Sequence, residues 1–268
     1  MVLKGLECIL MLSDDDAESC TVRCGAKAVR GETAQLAEYA AALRYEDIPA
    51  DVIHAAKNTI ADGIAACVFG YRFPWSQAIV RYAQQCGAGK SVVLGPGAPM
   101  LPPPFAALVN GALAHSFELD AGTRVGVGAH PFGTVFTAAL PVAQDKRLSG
   151  KKLITAFIAG SEAMLRIGRA TGRSNEHRGF HAPGTTGPFG AAIASSLLLD
   201  LDTAHLLNAI GIAGSVACGL LQFSVSDTGS MVKRLHFGRA AEVACSPQLS
   251  LRKALTDRTI SSKARPGS

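Results

Sequence analysis

Nowhere does the chain hold 18 or more consecutive apolar residues, so a membrane-spanning helix is not expected. No long alternation of β-branched residues appears either, which argues against a sheet protein. The seven cysteines lack the paired C-x-x-C spacing of a zinc or redox site, and an odd count suits reduced thiols in a cytoplasmic compartment. The same reading admits a mitochondrial matrix. Residues 6–12 only imitate a signal peptide: the run is short, no small-residue cleavage site follows, and Asp14, Asp15 and Asp16 come next. H-E-x-x-H and G-x-S-x-G are missing, and no G-x-G-x-x-G follows a strand. Metalloprotease, α/β-hydrolase and dinucleotide-binding readings fall with them. Gly87-Ala88-Gly89-Lys90-Ser91 resembles the end of a phosphate-binding loop, but the leading glycine of that motif would fall on Gln84.

What is present is a chain of 268 residues, 48% hydrophobic, long enough to bury a substantial core. The net charge of +5 raises the question of nucleic acid, yet much of the excess sits at one end. Residues 246–268 set Arg252, Lys253, Arg258, Lys263 and Arg265 against Asp257 alone. No basic stripe with interleaved aromatics runs through the body, so no nucleic-acid partner is expected.

Helical spacing dominates the middle. Ile53, Ala56, Ile60, Ile64 and Cys67 share one face of a helix starting near Asp51, and a shorter helix is expected over 76–85. Gly and Pro crowd 87–104, which reads as a loop. Leu153, Phe157, Gly160, Met164 and Ile167 step by fours and threes, and so do Leu206, Ile210, Ala213, Ala217 and Leu220, with Asp202 and Thr203 placed to cap the second helix. Another helix begins near Lys233. These faces are rich in Ala and Gly, which lets backbones approach closely. The expected fold class is all-α, a compact helical bundle over 33–245. The flanks do not share this pattern: 1–32 is an atypical N-terminal segment and 246–268 an atypical basic tail. A disordered tail, an alternative exon and a shifted reading frame are all open for each.

Polar residues interrupt apolar or Gly-rich text at four places: His115 to Asp120, His130-Pro131, His181-Ala182-Pro183 and Lys233-Arg234-Leu235-His236. Each is expected at a helix end or in a loop beside one, where free backbone N–H groups suit carboxylates. In the same order, N-G-A-L-A-H-S-F-E-L-D, H-P, S-G-K-K-L-I-T-A-F-I-A-G-S-E, G-F-H-A-P-G-T-T-G-P-F-G-A-A and K-R-L-H-F-G-R-A-A resemble the N-terminal domain of the MmgE/PrpD family, which includes 2-methylcitrate dehydratase and cis-aconitate decarboxylase. The resemblance implies a large all-α domain, and it implies that a smaller α+β domain is missing from this chain.

By the same resemblance, His130, His181 and Lys233 fall on active-site positions, and Glu118 and Asp120 fall on an acidic segment that reads L-D-F-D-D in the family. The implied chemistry is proton transfer beside a carboxylate of a small di- or tricarboxylate, as a dehydratase or decarboxylase, without metal or cofactor. An imidazole can act as acid or base near neutral pH, Lys233 can hold a carboxylate and stabilise enediolate-like charge, and the acids can orient an imidazole or protonate a departing hydroxyl. His115, Arg234, His236 and Lys233 are the substrate-binding candidates. His115 reads equally as a buried hydrogen-bonding residue, His236 as a capping or solvated one, and Glu118 and Asp120 as solvated acids at a helix end. His177 and His181 are four apart, but Gly179 between them argues for a loop over metal spacing on a helix. A homodimer is expected by analogy with the family. Two other functions stay open: an incompetent truncated relative serving as a helical interaction or dimerisation module, and an isomerase of related acids.

Overall fold

The computed structural model describes residues 31–123, 128–225 and 231–245. The atypical segments expected over 1–32 and 246–268 lie almost wholly outside these residues. Ten α-helices follow in order among the described residues: α1 (Glu32–Ala42), α2 (Ala50–Gly70), α3 (Pro74–Gln84), α4 (Pro103–Ala114), α5 (Thr137–Asp145), α6 (Gly150–Thr171), α7 (Ser174–His177), α8 (Ala182–Leu198), α9 (Thr203–Val216) and α10 (Val232–Cys245). The all-α expectation holds.

Local chemistry sets several of these ends. The Ser149 hydroxyl accepts from the Lys152 amide and starts α6, and Gly172 ends it in the left-handed region at φ 52°. Asp202 caps α9 by accepting from the His205 amide at 2.9 Å, the role read for it from sequence. That helix stops earlier than its spacing predicts, at Val216. Ala217 is extended at ψ 125° and Gly219 takes φ 144°, a conformation open chiefly to glycine, so Ala217 and Leu220 lie beyond the helix. The backbone leaves the helix because the Cys218 amide donates to the Gly184 carbonyl.

The Gly- and Pro-rich stretch expected as a loop contains a small antiparallel pair, β1 (Ser91–Val92) with β2 (Met100–Leu101). Gly89 is needed there because its amide donates to Met100 and its backbone lies against Leu101, leaving no room for a Cβ. Asn110 of α4 clamps the pair, accepting from the Leu94 amide at 2.8 Å and donating to the Val92 carbonyl at 2.9 Å.

The core is built on α8, whose length is almost entirely buried and which packs on α6, α9, α10 and α5. Small residues set these spacings. A Cβ on Gly190 would meet Val135 and Met164 side chains at 2.8 and 2.9 Å, so α6 and α8 cross nearly backbone to backbone. The same device joins α4 to α10. A Cβ on Gly111 would sit 2.8 Å from the Gly238 Cα, and one on Gly238 would strike the Leu108 carbonyl. That crossing fixes where the preceding residues of α10, Phe237 and Lys233, stand relative to the end of α4.

Candidate active site

Four chain segments meet at the α4–α10 crossing: the end of α4, the residues ahead of a π-helical turn (Phe132–Phe136), the start of α8, and the first turns of α10. π-turns of this kind recur at functional sites because one wide turn re-aims the residues before it. Here His130 precedes Pro131, and Thr134 secures the turn by donating its hydroxyl to the His130 carbonyl at 3.2 Å.

Asp120 is the buried anion of the cluster, only 4% exposed. One carboxylate oxygen lies 2.7 Å from His115 Nδ1, and the other lies 3.1 Å from His130 Nδ1, the second contact lacking good hydrogen-bond alignment. Burial pushes the Asp120 carboxyl up, but its contacts with His115 and His130 outweigh that and hold it below the ordinary carboxylate value. Burial pulls the His115 imidazole below its ordinary value, with Asp120 opposing. Solvation of a helix-end acid, the bland expectation for Asp120, is therefore corrected. Gly122 and Gly133 make room for the arrangement: a Cβ on Gly122 would meet the His130 ring at 2.8 Å, and one on Gly133 would meet the Phe237 ring at 2.6 Å.

The second acid stands apart. Glu118 is half exposed, has a left-handed backbone at φ 59°, and pairs with Lys233 Nζ at 2.6 Å. For a residue with a Cβ that conformation is strained, a feature that gathers at functional sites. The Lys233 hydrogen bond holds the Glu118 carboxyl below the usual range.

His181 occupies the N-cap position of α8, with its amide donating to the Gly219 carbonyl at 2.8 Å. Its Nδ1 lies 3.0 Å from Nδ1 of His236. Burial first, then the charges of His236, His115, Lys233 and His130, lower the His181 imidazole to about 3. His236, expected to cap or face solvent, is instead half-buried against His181, because α10 places it one residue before the buried Phe237.

Phe237 is the common wall. Its ring stacks on His115 at 3.9 Å between centroids, meets His130 edge-on at 5.3 Å and lies 5.9 Å from His181. Thus His130 and His181, distant in sequence, flank one ring, and Lys233 projects from the same helix. Arg234 is directed elsewhere: its Nε donates to the Ser116 carbonyl at 2.8 Å and its guanidinium lies 5.4 Å above the Trp75 ring. Those contacts tie α10 to the start of α3. Phe237 and Phe223 received no role from the sequence, where the only signal was an aromatic residue inside the L-H-F-G run.

His115, Asp120 and His130 each offer a ligand atom, all within 4.8 Å of one another, so the same trio has the donors for a divalent cation. The hydrogen bond between His115 and one Asp120 oxygen and the approach of the other oxygen to His130 suit a proton-transfer group equally.

The model of the MmgE/PrpD N-terminal domain matches residues 34–247. The chain belongs to the MmgE/PrpD family. Among curated relatives of this MmgE/PrpD chain, the cis-aconitate decarboxylase of Aspergillus terreus (strain NIH 2624 / FGSC A1156) is 36% identical over 217 residues, covering 79% of the chain and 44% of that protein. The cis-aconitate decarboxylase of Homo sapiens is 29% identical over 197 residues, 71% of the chain and 40% of that protein. The chain spans less than half the length of these relatives. No described helix is long and apolar enough to cross a membrane.

Proposed function

We propose that this chain supplies the acid–base part of a lyase site for small di- and tricarboxylates, with decarboxylation of a cis-aconitate-like acid as its reaction. One observation carries the reading: the His115–Asp120–His130 group and the His181–His236 pair both reach the Phe237 ring, on the helix that also carries Lys233. The shared name of the relatives, cis-aconitate decarboxylase, favours decarboxylation over dehydration.

In such a reaction the bond from carbon to the departing carboxylate breaks, carbon dioxide leaves, and the electron pair spreads onto the remaining unsaturated carboxylate. Lys233 stabilises that developing charge, a role in which Glu118 holds the ammonium in place until a substrate carboxylate competes for it. An imidazole then delivers a proton to carbon. Asp120 holds the other side of the site, its second oxygen facing His130 Nδ1. The chain acts as a homodimer in this reading. Exposed Phe117, Leu119, Leu220, Met231 and Val232 supply apolar surface for association.

The test is direct. The purified chain, and the chain fused to the C-terminal remainder of the A. terreus relative, are given cis-aconitate and 2-methylcitrate, and carbon dioxide and unsaturated product are followed. Carbon dioxide from cis-aconitate is the expected result. Its absence from both proteins overturns the reading.

A further inference from the structure

Two Nδ1 atoms at 3.0 Å make a demand that neither residue makes alone. Two facing lone pairs repel, and so do two facing N–H groups, so the contact holds only with a single hydrogen between the nitrogens. Each ring then has only its Nε2 left for other partners. We propose that His181 and His236 form one proton-carrying unit, in which His236 stores a transferable proton and His181 passes it to the substrate carbon; this rests on the lyase reading above.

The transfer balances atom by atom. In the reactive state His236 has taken up a proton and is an imidazolium with hydrogen on both nitrogens, and neutral His181 carries hydrogen on Nε2 while its Nδ1 accepts from His236. The carbanion takes the Nε2 hydrogen of His181. The Nδ1 hydrogen of His236 crosses to His181, and His236 is left neutral with hydrogen on Nε2. One hydrogen still lies between the two Nδ1 atoms, so the contact survives and neither ring has to move. A lone neutral imidazole would be a poor acid, because its loss of Nε2–H would leave an imidazolate. Drawing on the second ring removes that obstacle.

The surroundings decide which ring stores the charge. His181 faces His236 and Lys233 from α10, His115 from the end of α4 and His130 from ahead of the π-turn, all of which oppose a proton on it. Burial lowers the His236 imidazole too, but His181 also stands at the positive N-terminal end of α8, which further opposes a charge on it. The nearby acids are engaged elsewhere, Asp120 with His115 and His130, and Glu118 with Lys233. Phe223 covers both imidazoles, its centroid 5.1 Å from His181 and 5.7 Å from His236. Gly219 lets the backbone lie under His236, since a Cβ there would meet its Nδ1 at 3.3 Å. The pair is thus held together and partly screened from water.

The experiment has two arms. Nitrogen-15 histidine labelling of the full chain reads the pair by nuclear magnetic resonance, independent of turnover. A scalar coupling between the two Nδ1 nuclei is expected, with the first proton taken up on acidification appearing on His236. Absence of coupling, or independent uptake of a proton by each ring, overturns the proposal. The second arm compares His236→Asn, which keeps a polar group near the Nδ1 position but cannot store a proton, with His236→Phe. Both should lower kcat on cis-aconitate about 100-fold, with KM changed less than about threefold. Full kcat in a folded His236→Asn variant overturns the relay and leaves the lyase reading standing. If no version turns over, the lyase reading falls, and the coupling measurement alone decides whether the pair exists.

Discussion

His181 should make the folded chain sensitive to mild acid. Its ordinary value is 6.5 and its folded value about 3, so the unfolded chain binds the proton more readily. A histidine lowered in this way contributes no penalty well above pH 6.5. The penalty grows as pH falls through 6.5 and levels off only near 3. At pH 5 it amounts to about 2 kcal/mol, fixed almost wholly by the unfolded-state value. With a urea dependence of about 3 kcal/mol per M, the unfolding midpoint should fall by about 0.7 M between pH 7.5 and pH 5 through this residue. His115 and His236, both lowered by burial, push in the same direction. The comparison is therefore with His181→Asn, whose side chain suits an N-cap and does not titrate. Urea titrations of both proteins at the two pH values give the difference in slope. Equal losses in both proteins would refute the argument, whatever their absolute stabilities.

Asp120→Asn should leave the fold intact yet lower kcat/KM about 100-fold or more on cis-aconitate, because a neutral amide no longer presents two equivalent oxygens to orient His115 and His130; steady-state kinetics checks this. Gly238→Ala should cost about 1 to 3 kcal/mol, since the new methyl meets the Leu108 backbone carbonyl and not a pliable side chain; calorimetry should show a melting temperature lower by several degrees. Light scattering at micromolar concentration should give the mass of a dimer, and a monomer would contradict the expected association.

The helices that announced themselves did so through period. Phe157, Gly160 and Met164 are buried along α6 as their spacing demands, and Ala56 and Cys67 mark the inner face of α2. α8 gave no such signal, because a helix buried on nearly every side has no polar face to set a period. α9 was drawn too long because Ala217 and Leu220 keep the spacing, and only the distant Gly184 carbonyl explains why the chain turns out. In the site, the polar breaks at His115, His130, His181 and Lys233 were visible as interruptions of apolar text. The pairing of His181 with His236 was not, since 55 residues separate them and only the α8–α10 packing joins them. Arg234, a substrate-binding candidate from sequence, turns roughly 100° from Lys233 and contacts Ser116 and Trp75.

Three imidazoles lean on the one phenyl ring of residue 237, which makes their geometry a shared property. Replacing that ring re-aims all three together, and the effects of changing any two of His115, His130 and His181 should not sum. A lineage altering substrate preference here would find single steps at position 237 costly, since each would disturb every one of those rings at once.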